Sequence, residues 1–314
     1  MITAEMLEKA KEAGRQQAGA VIAFRNEELK KRTKAIAEAP KAKRLARPAQ
    51  PRKAVLRTLG PPSPHLLIAE GDSWFNYPLH DILRILEDHY GYDVDSVAHW
   101  GDKVEDMAYA EGQLEKFTRL VEKALRRGSI PKAILLSGGG NDVAGDEFGM
   151  LLNHAASSIA GLNDSIIRGV VDERAKIAYV TIISKITSVC LERIGQAVPI
   201  LIHGYDFPVP DGRGFLGGWW LLPGPWLEPG FRTKGFTELS KRIDIAKQLM
   251  IRFNEMLNDI ASIPDFSHVH YINLRNTLST GRDYEEDWAN ELHPTEEGFE
   301  KVTARFAEVL ETLP

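Results

Sequence analysis

The stretch Leu66-Leu67-Ile68-Ala69-Glu70-Gly71-Asp72-Ser73-Trp74 decides the fold. Its opening apolar run reads as a strand covered on both faces, and Gly-Asp-Ser ends it in a turn. Similar strands follow at 92–99, 133–136, 199–203 and 269–274. Between them, apolar residues recur at helical spacing. Met107, Leu114, Phe117 and Val121 form one such series, and Ile245, Leu249, Phe253, Leu257 and Ile260 another. Phe299, Val302, Phe306, Val309 and Leu313 make a terminal stripe. Short apolar strands separated by helices predict an α/β fold, a parallel sheet with helices on both faces. Residues 151–196 are less regular: the second half reads as a helix, the first as an irregular insertion.

The chain has 314 residues, 43% of them hydrophobic, enough for one large core with an appendage. Its apolar runs are too short to span a bilayer, and residues 1–23 lack the apolar core of a secretory signal, so a cytoplasmic location is expected. One cysteine, Cys190, excludes an internal disulfide framework and a multi-cysteine zinc site. Residues 24–57 hold 12 Lys/Arg against 3 Glu, whereas the whole chain carries −5. Residues 1–58 therefore read as a basic, partly helical arm with a proline-rich linker, and 59–314 as an acidic body. The arm has too few aromatics to suggest nucleic-acid binding. Packing on the body or on a second subunit, giving a homo-oligomer, suits it better.

An open parallel sheet binds ligands beyond the carboxyl ends of its strands, where Ser73 falls. Acyl transfer needs a nucleophile, a base and donors for an oxyanion. Gly101 ends the second strand, where the lack of a side chain lets a backbone N–H point into a site. The run Ser137-Gly138-Gly139-Gly140-Asn141-Asp142 follows the third strand and offers the Asn141 amide as a donor. It is not a nucleotide loop: Gly-Lys-Ser/Thr is absent, and Val143 stands where a dinucleotide fingerprint needs Gly or Ala. His293, held by Pro294 before the last helix, suits a general base. The nine histidines show no metal-ligand spacing. A Gly-, Pro- and Trp-rich loop at 208–233 should overhang the sheet and shape a pocket.

In this order Ser73, Gly101, Asn141 and His293 resemble the four blocks of the SGNH, or GDSL-type, hydrolases across about residues 66–314. The resemblance implies a three-layer α/β/α sandwich with a flavodoxin-like five-stranded parallel sheet. It implies a cofactor-free esterase or lipase with Ser73 as nucleophile and His293 as base. The oxyanion hole would comprise the Ser73 and Gly101 N–H groups and the Asn141 side chain. Trp74, Trp219, Trp220 and Trp226 are candidate substrate-binding aromatics. Expected substrates are short-chain, aryl or acetyl esters of small molecules, glycans or lipids. Thioester hydrolysis, acyl transfer, or a catalytically degenerate binding protein are the alternatives.

One position departs from the family pattern. An aspartate is expected three residues before the histidine, and the chain has Asn290. Three arrangements are open: Asn290 orients His293 through its carbonyl oxygen, Asp287 folds back to do so, or serine and histidine act as a dyad. Glu291, on an extended segment, should face away.

Overall fold

The computed structural model describes residues 3–38, 65–78, 80–145, 147–215 and 223–314. β1 (Leu66–Glu70) is buried throughout. It pairs in parallel with β2 (Asp93–Ser96) on one side and β3 (Ala133–Leu136) on the other. β3 pairs with β4 (Ile200–His203), and β4 with β5 (Val269–Ile272), again in parallel. The sheet order β2-β1-β3-β4-β5 is the flavodoxin-like doubly wound order. Its switch point lies between β1 and β3, so the segments bearing Ser73 and Asn141 leave adjacent strands on either side of the crevice.

Helices Ile82–Tyr90 and Glu296–Thr312 pack together as one outer layer. Gln113–Arg126, Lys176–Ile194 and Leu239–Ala261 build the other. The Asp81 carboxylate caps the first helix by accepting the Arg84 N–H at 2.8 Å. The Thr295 hydroxyl caps the last, accepting the Gly298 N–H at 3.1 Å. On that last helix Phe299, Val302, Phe306 and Leu310 are fully buried, and Val309 only partly. The fold is thus a three-layer α/β/α sandwich around a five-stranded parallel sheet.

The structure refines two expectations. β2 is shorter than 92–99, because it is an edge strand whose residues are mostly exposed. The irregular half of 151–196 contains a short antiparallel pairing of Leu152–Asn153 with Gly161–Leu162, then a helical turn and a π-helix at Arg168–Ala175. That π-helix runs directly into the Lys176–Ile194 helix.

The amino-terminal helix Ala4–Glu38 lies along Lys176–Ile194. The contact depends on Gly14: a Cβ there would come within 2.8 Å of the Thr181 carbonyl oxygen and 2.9 Å of the Ser184 Cβ. Lys11 pairs with Asp265 at 3.0 Å, and Arg193 donates to the Asn26 side chain at 2.9 Å. The proline-rich linker and the loop tryptophans Trp219 and Trp220 lie outside the described residues. No helix among the described residues is long and apolar enough to cross a membrane. Cys190 is buried, and burial pushes its thiol up to about 11.

Candidate active site

β1 delivers the serine through a turn with no spare room. A Cβ on Gly71 would lie 2.7 Å from the Ser137 Cβ and 2.9 Å from the Phe75 ring, so only glycine fits. The buried Asp72 carboxylate then locks the turn. It accepts the Trp74 N–H at 3.0 Å and the Ser137 hydroxyl at 2.7 Å, together with the Tyr205 hydroxyl. One carboxylate thereby ties the turn after β1 to the ends of β3 and β4.

Ser73 Oγ lies 2.8 Å from His293 Nε2. On the far side of the ring, His293 Nδ1 lies 3.0 Å from Asn290 Oδ1. That amide oxygen also accepts the backbone N–H groups of Leu292 and His293, each at 3.0 Å. The amide nitrogen donates to the Tyr77 hydroxyl at 3.0 Å. Two backbone donors can face only an oxygen, which fixes the orientation of the amide. Nδ1 must then carry the imidazole proton, leaving the Nε2 lone pair toward the serine. This is the tautomer a general base requires.

Residues 287–295 form a tight bracket around His293. Trp288 and Pro294 form an antiparallel bridge, and the Thr295 N–H donates to the Asp287 carbonyl at 2.9 Å. His293 is only 5% exposed. Tyr77 stacks on its ring at 4.3 Å and 17°, and Trp226 meets it edge-on at 5.4 Å. Burial pushes the imidazole down to about 3, so it stays neutral across the ordinary pH range.

Asp287 is not brought to the imidazole. Its buried carboxylate accepts the Ser279 N–H at 2.7 Å and pairs with Lys301 at 2.6 Å. Glu291 does face away from His293, and its use was not legible in the sequence. It is fully buried and accepts four backbone N–H groups: Gly212 at 3.0 Å, Trp226 and Leu227 at 2.7 Å, and Glu228 at 3.0 Å. It clamps the described ends of the aromatic loop onto the bracket that holds His293. Tyr77 was also missed. Nothing in its local sequence marks it, since Asn290 and His293 are more than 200 residues away.

Asn141 donates one amide hydrogen to the Asp102 carbonyl at 3.0 Å. The neighbouring Asp142 carboxylate accepts the Val104 N–H at 2.9 Å. Together they fasten the loop after β3 to the loop after β2. Gly101, in that second loop, has φ 86°, a conformation glycine adopts without penalty. Neither the Ser73 N–H nor the Gly101 N–H is engaged in a backbone hydrogen bond among the described residues.

A cleft among the described residues is lined by Ser73 and Asn141, together with a larger apolar set that includes Val143, Phe148 and Leu249. Trp74 borders it but is buried, its indole N–H donating to the Leu292 carbonyl at 3.0 Å. Gly101 and Trp226 are not part of its lining. Among the described residues no group of three or more His, Cys, Asp or Glu is placed to hold a metal ion.

Fold and site together define an α/β protein with a serine–histidine–asparagine relay at the carboxyl edge of a parallel sheet. No protein-family model matches the chain, and no curated protein matches it. Solved structures are similar at low identity. One is a candidate SGNH hydrolase from Slackia heliotrinireducens, at 13% identity and TM-score 0.41, covering 77% of this chain and 97% of that one. Another is a mutant acetylxylan esterase from Geobacillus stearothermophilus, at 13% identity and TM-score 0.41, covering 79% and 94%. A third is the esterase EstA from Pseudoalteromonas sp., at 12% identity and TM-score 0.42, covering 79% and 97%.

Proposed function

We propose that the protein is a serine ester hydrolase of the SGNH type, working through an acyl-enzyme. One observation carries this reading: the Ser73–His293–Asn290 relay, with hydrogen bonds of 2.8 and 3.0 Å and the proton held on Nδ1. Ser73 Oγ attacks the ester carbonyl while His293 Nε2 takes its proton. The oxyanion is received by the Ser73 N–H, the Gly101 N–H and the free hydrogen of the Asn141 amide. Collapse of the adduct breaks the ester C–O bond. The imidazolium returns the proton to the departing alcohol, and water repeats the sequence to release the acid. Asn290 accepts the Nδ1–H throughout, so it positions the base without adding a counter-charge.

That missing counter-charge favours a second reading, a binding protein on a hydrolase scaffold. Labelling with a fluorophosphonate separates the two. Covalent modification at Ser73, with p-nitrophenyl ester hydrolysis lost in Ser73→Ala, is the expected result. An unlabelled Ser73 in the folded protein, or Ser73→Ala keeping a tenth or more of wild-type kcat, overturns the hydrolase reading.

A further inference from the structure

The cleft has a polar head and an apolar body. At the head stand Ser73 and Asn141. The body is walled by Val143 and Phe148 from the segment after β3, Leu227 from the clamped loop, and Ala246, Leu249 and Met250 from the Leu239–Ala261 helix. All six are buried side chains.

The other polar side chains on the lining are already spent. Asp72 holds the Trp74 N–H and the Ser137 and Tyr205 hydroxyls. Asp206 accepts the N–H groups of Phe207, Asn276, Thr277 and Leu278, at 2.6 to 2.8 Å. Among the described lining residues there is no lysine, arginine or histidine. The body of the cleft therefore has nothing with which to recognise a carboxylate, a phosphate or a run of sugar hydroxyls. A group placed there gains by leaving water, and does so in proportion to its apolar surface.

We propose that this cleft is the acyl pocket, and that the preferred substrates are esters of linear aliphatic acids several carbons long rather than acetate esters. The proposal rests on the serine hydrolase reading and deepens it. An acetyl group would occupy only the polar head beside Ser73 and leave the walls from Val143 to Met250 unused. A longer chain would lie along them while its carbonyl stays at Ser73 and Asn141. Each methylene that enters should raise kcat/KM by about fourfold, the value of moving one CH₂ out of water. Ala246 is the lining position to manipulate, since its small side chain borders the cleft from within the Leu239–Ala261 helix.

The test compares p-nitrophenyl acetate, butyrate, hexanoate and octanoate on the full-length protein. It is paired with the rate at which methyl and hexyl p-nitrophenyl phosphonates modify Ser73. Wild-type kcat/KM should climb from acetate to hexanoate by about 250-fold if all four added methylenes enter, and the hexyl phosphonate should react correspondingly faster. Ala246→Leu should lower the hexanoate-to-acetate ratio at least tenfold, and Met250→Ala should raise the octanoate-to-hexanoate ratio. Met250→Ala provides the test should Ala246→Leu not fold. If Ser73 is modified but acetate is preferred and phosphonate length has no effect, the acyl-pocket proposal is wrong and the hydrolase reading stands. If neither phosphonate modifies Ser73 and no ester is cleaved, the hydrolase reading fails and the proposal with it.

Discussion

Asn290 Oδ1 accepts the Nδ1–H of His293 at 3.0 Å, from the position where a carboxylate would both orient and charge-balance the base. The amide performs only the first task. In serine proteases the same acid-to-amide exchange costs about 10⁴ in kcat, much of it because the amide selects the wrong tautomer. Here the backbone N–H groups of Leu292 and His293 hold the amide oxygen toward the ring, so that part of the loss is avoided.

Asn290→Asp should therefore raise kcat at neutral pH by less than the full factor, on the order of tenfold. The Tyr77 hydroxyl, which now accepts from the amide, can rotate to donate to the new carboxylate. A negative charge beside the imidazole favours its protonated form, so its pKa rises from about 3. The acid limb of kcat/KM should shift to higher pH by one unit or more. A pH–rate profile without that shift would place Asn290 outside the relay.

Asp287→Ala should leave the shape of that profile intact, since its carboxylate faces Ser279 and Lys301. Its cost should appear in stability. The Ser279 N–H loses its acceptor, worth about 1–3 kcal/mol when buried. Thermal unfolding beside a pH–rate profile separates the two effects. A hundredfold loss of kcat without loss of stability would instead make Asp287 part of the relay.

Glu291→Gln should be more damaging than its conservative chemistry suggests. Four backbone N–H groups converge on two carboxylate oxygens. A glutamine keeps one oxygen and turns an N–H₂ toward the remaining donors. With two donors orphaned, the loss should be at least about 2 kcal/mol. That would lower Tm by about 3 °C or more in a chain of this size. A Tm within a degree of wild type would mean that the clamp contributes nothing.

Glu70 gives a prediction against pH. It is buried at the end of β1, where the Gln113 side chain and the Gly71 N–H, its neighbouring donors, only partly offset the loss of water. Burial, reinforced by the nearby Asp102 carboxylate, pushes it up to about 8 from an ordinary 4.5. The folded state thus holds a proton that the unfolded state releases. The associated stability is complete below about pH 4.5 and is lost as pH rises through 8. Glu70→Gln should remove that dependence and leave the variant more stable than wild type at pH 9, by a few kcal/mol. Urea unfolding at pH 6 and pH 9 measures it, and equal alkaline sensitivity in both proteins would refute the assignment.

The sequence was most informative where local pattern and chemistry coincide. Ser73 and Asn141 each follow a continuous apolar strand, so their place at the sheet edge could be read from a dozen residues. The spacing to His293 pointed to position 290, but spacing cannot tell which end of an amide faces a ring. That depends on the Leu292 and His293 N–H groups, which set it only once the bracket has closed. The roles of Tyr77 and Glu291 were hidden for a related reason. An unremarkable tyrosine and a glutamate in an extended segment acquire function only from partners far along the chain. The amino-terminal helix showed weak periodicity because it meets the body through small residues, Ala10, Gly14 and Ala18, rather than an apolar stripe.

The hydrogen bond between Ser73 and His293 joins residues 220 positions apart. Closing so long a separation is slow relative to local folding, and larger chains reach such contacts late. During synthesis Ser73 emerges long before His293, and the Glu296–Thr312 helix must dock before the bracket can present His293 to Ser73. On the proposed hydrolase reading, the nascent protein therefore passes through a period in which the serine is made but inert. Reactivity toward a phosphonate would report arrival of the final segment, and could be followed on ribosome-bound chains of increasing length as a clock for completion of the fold.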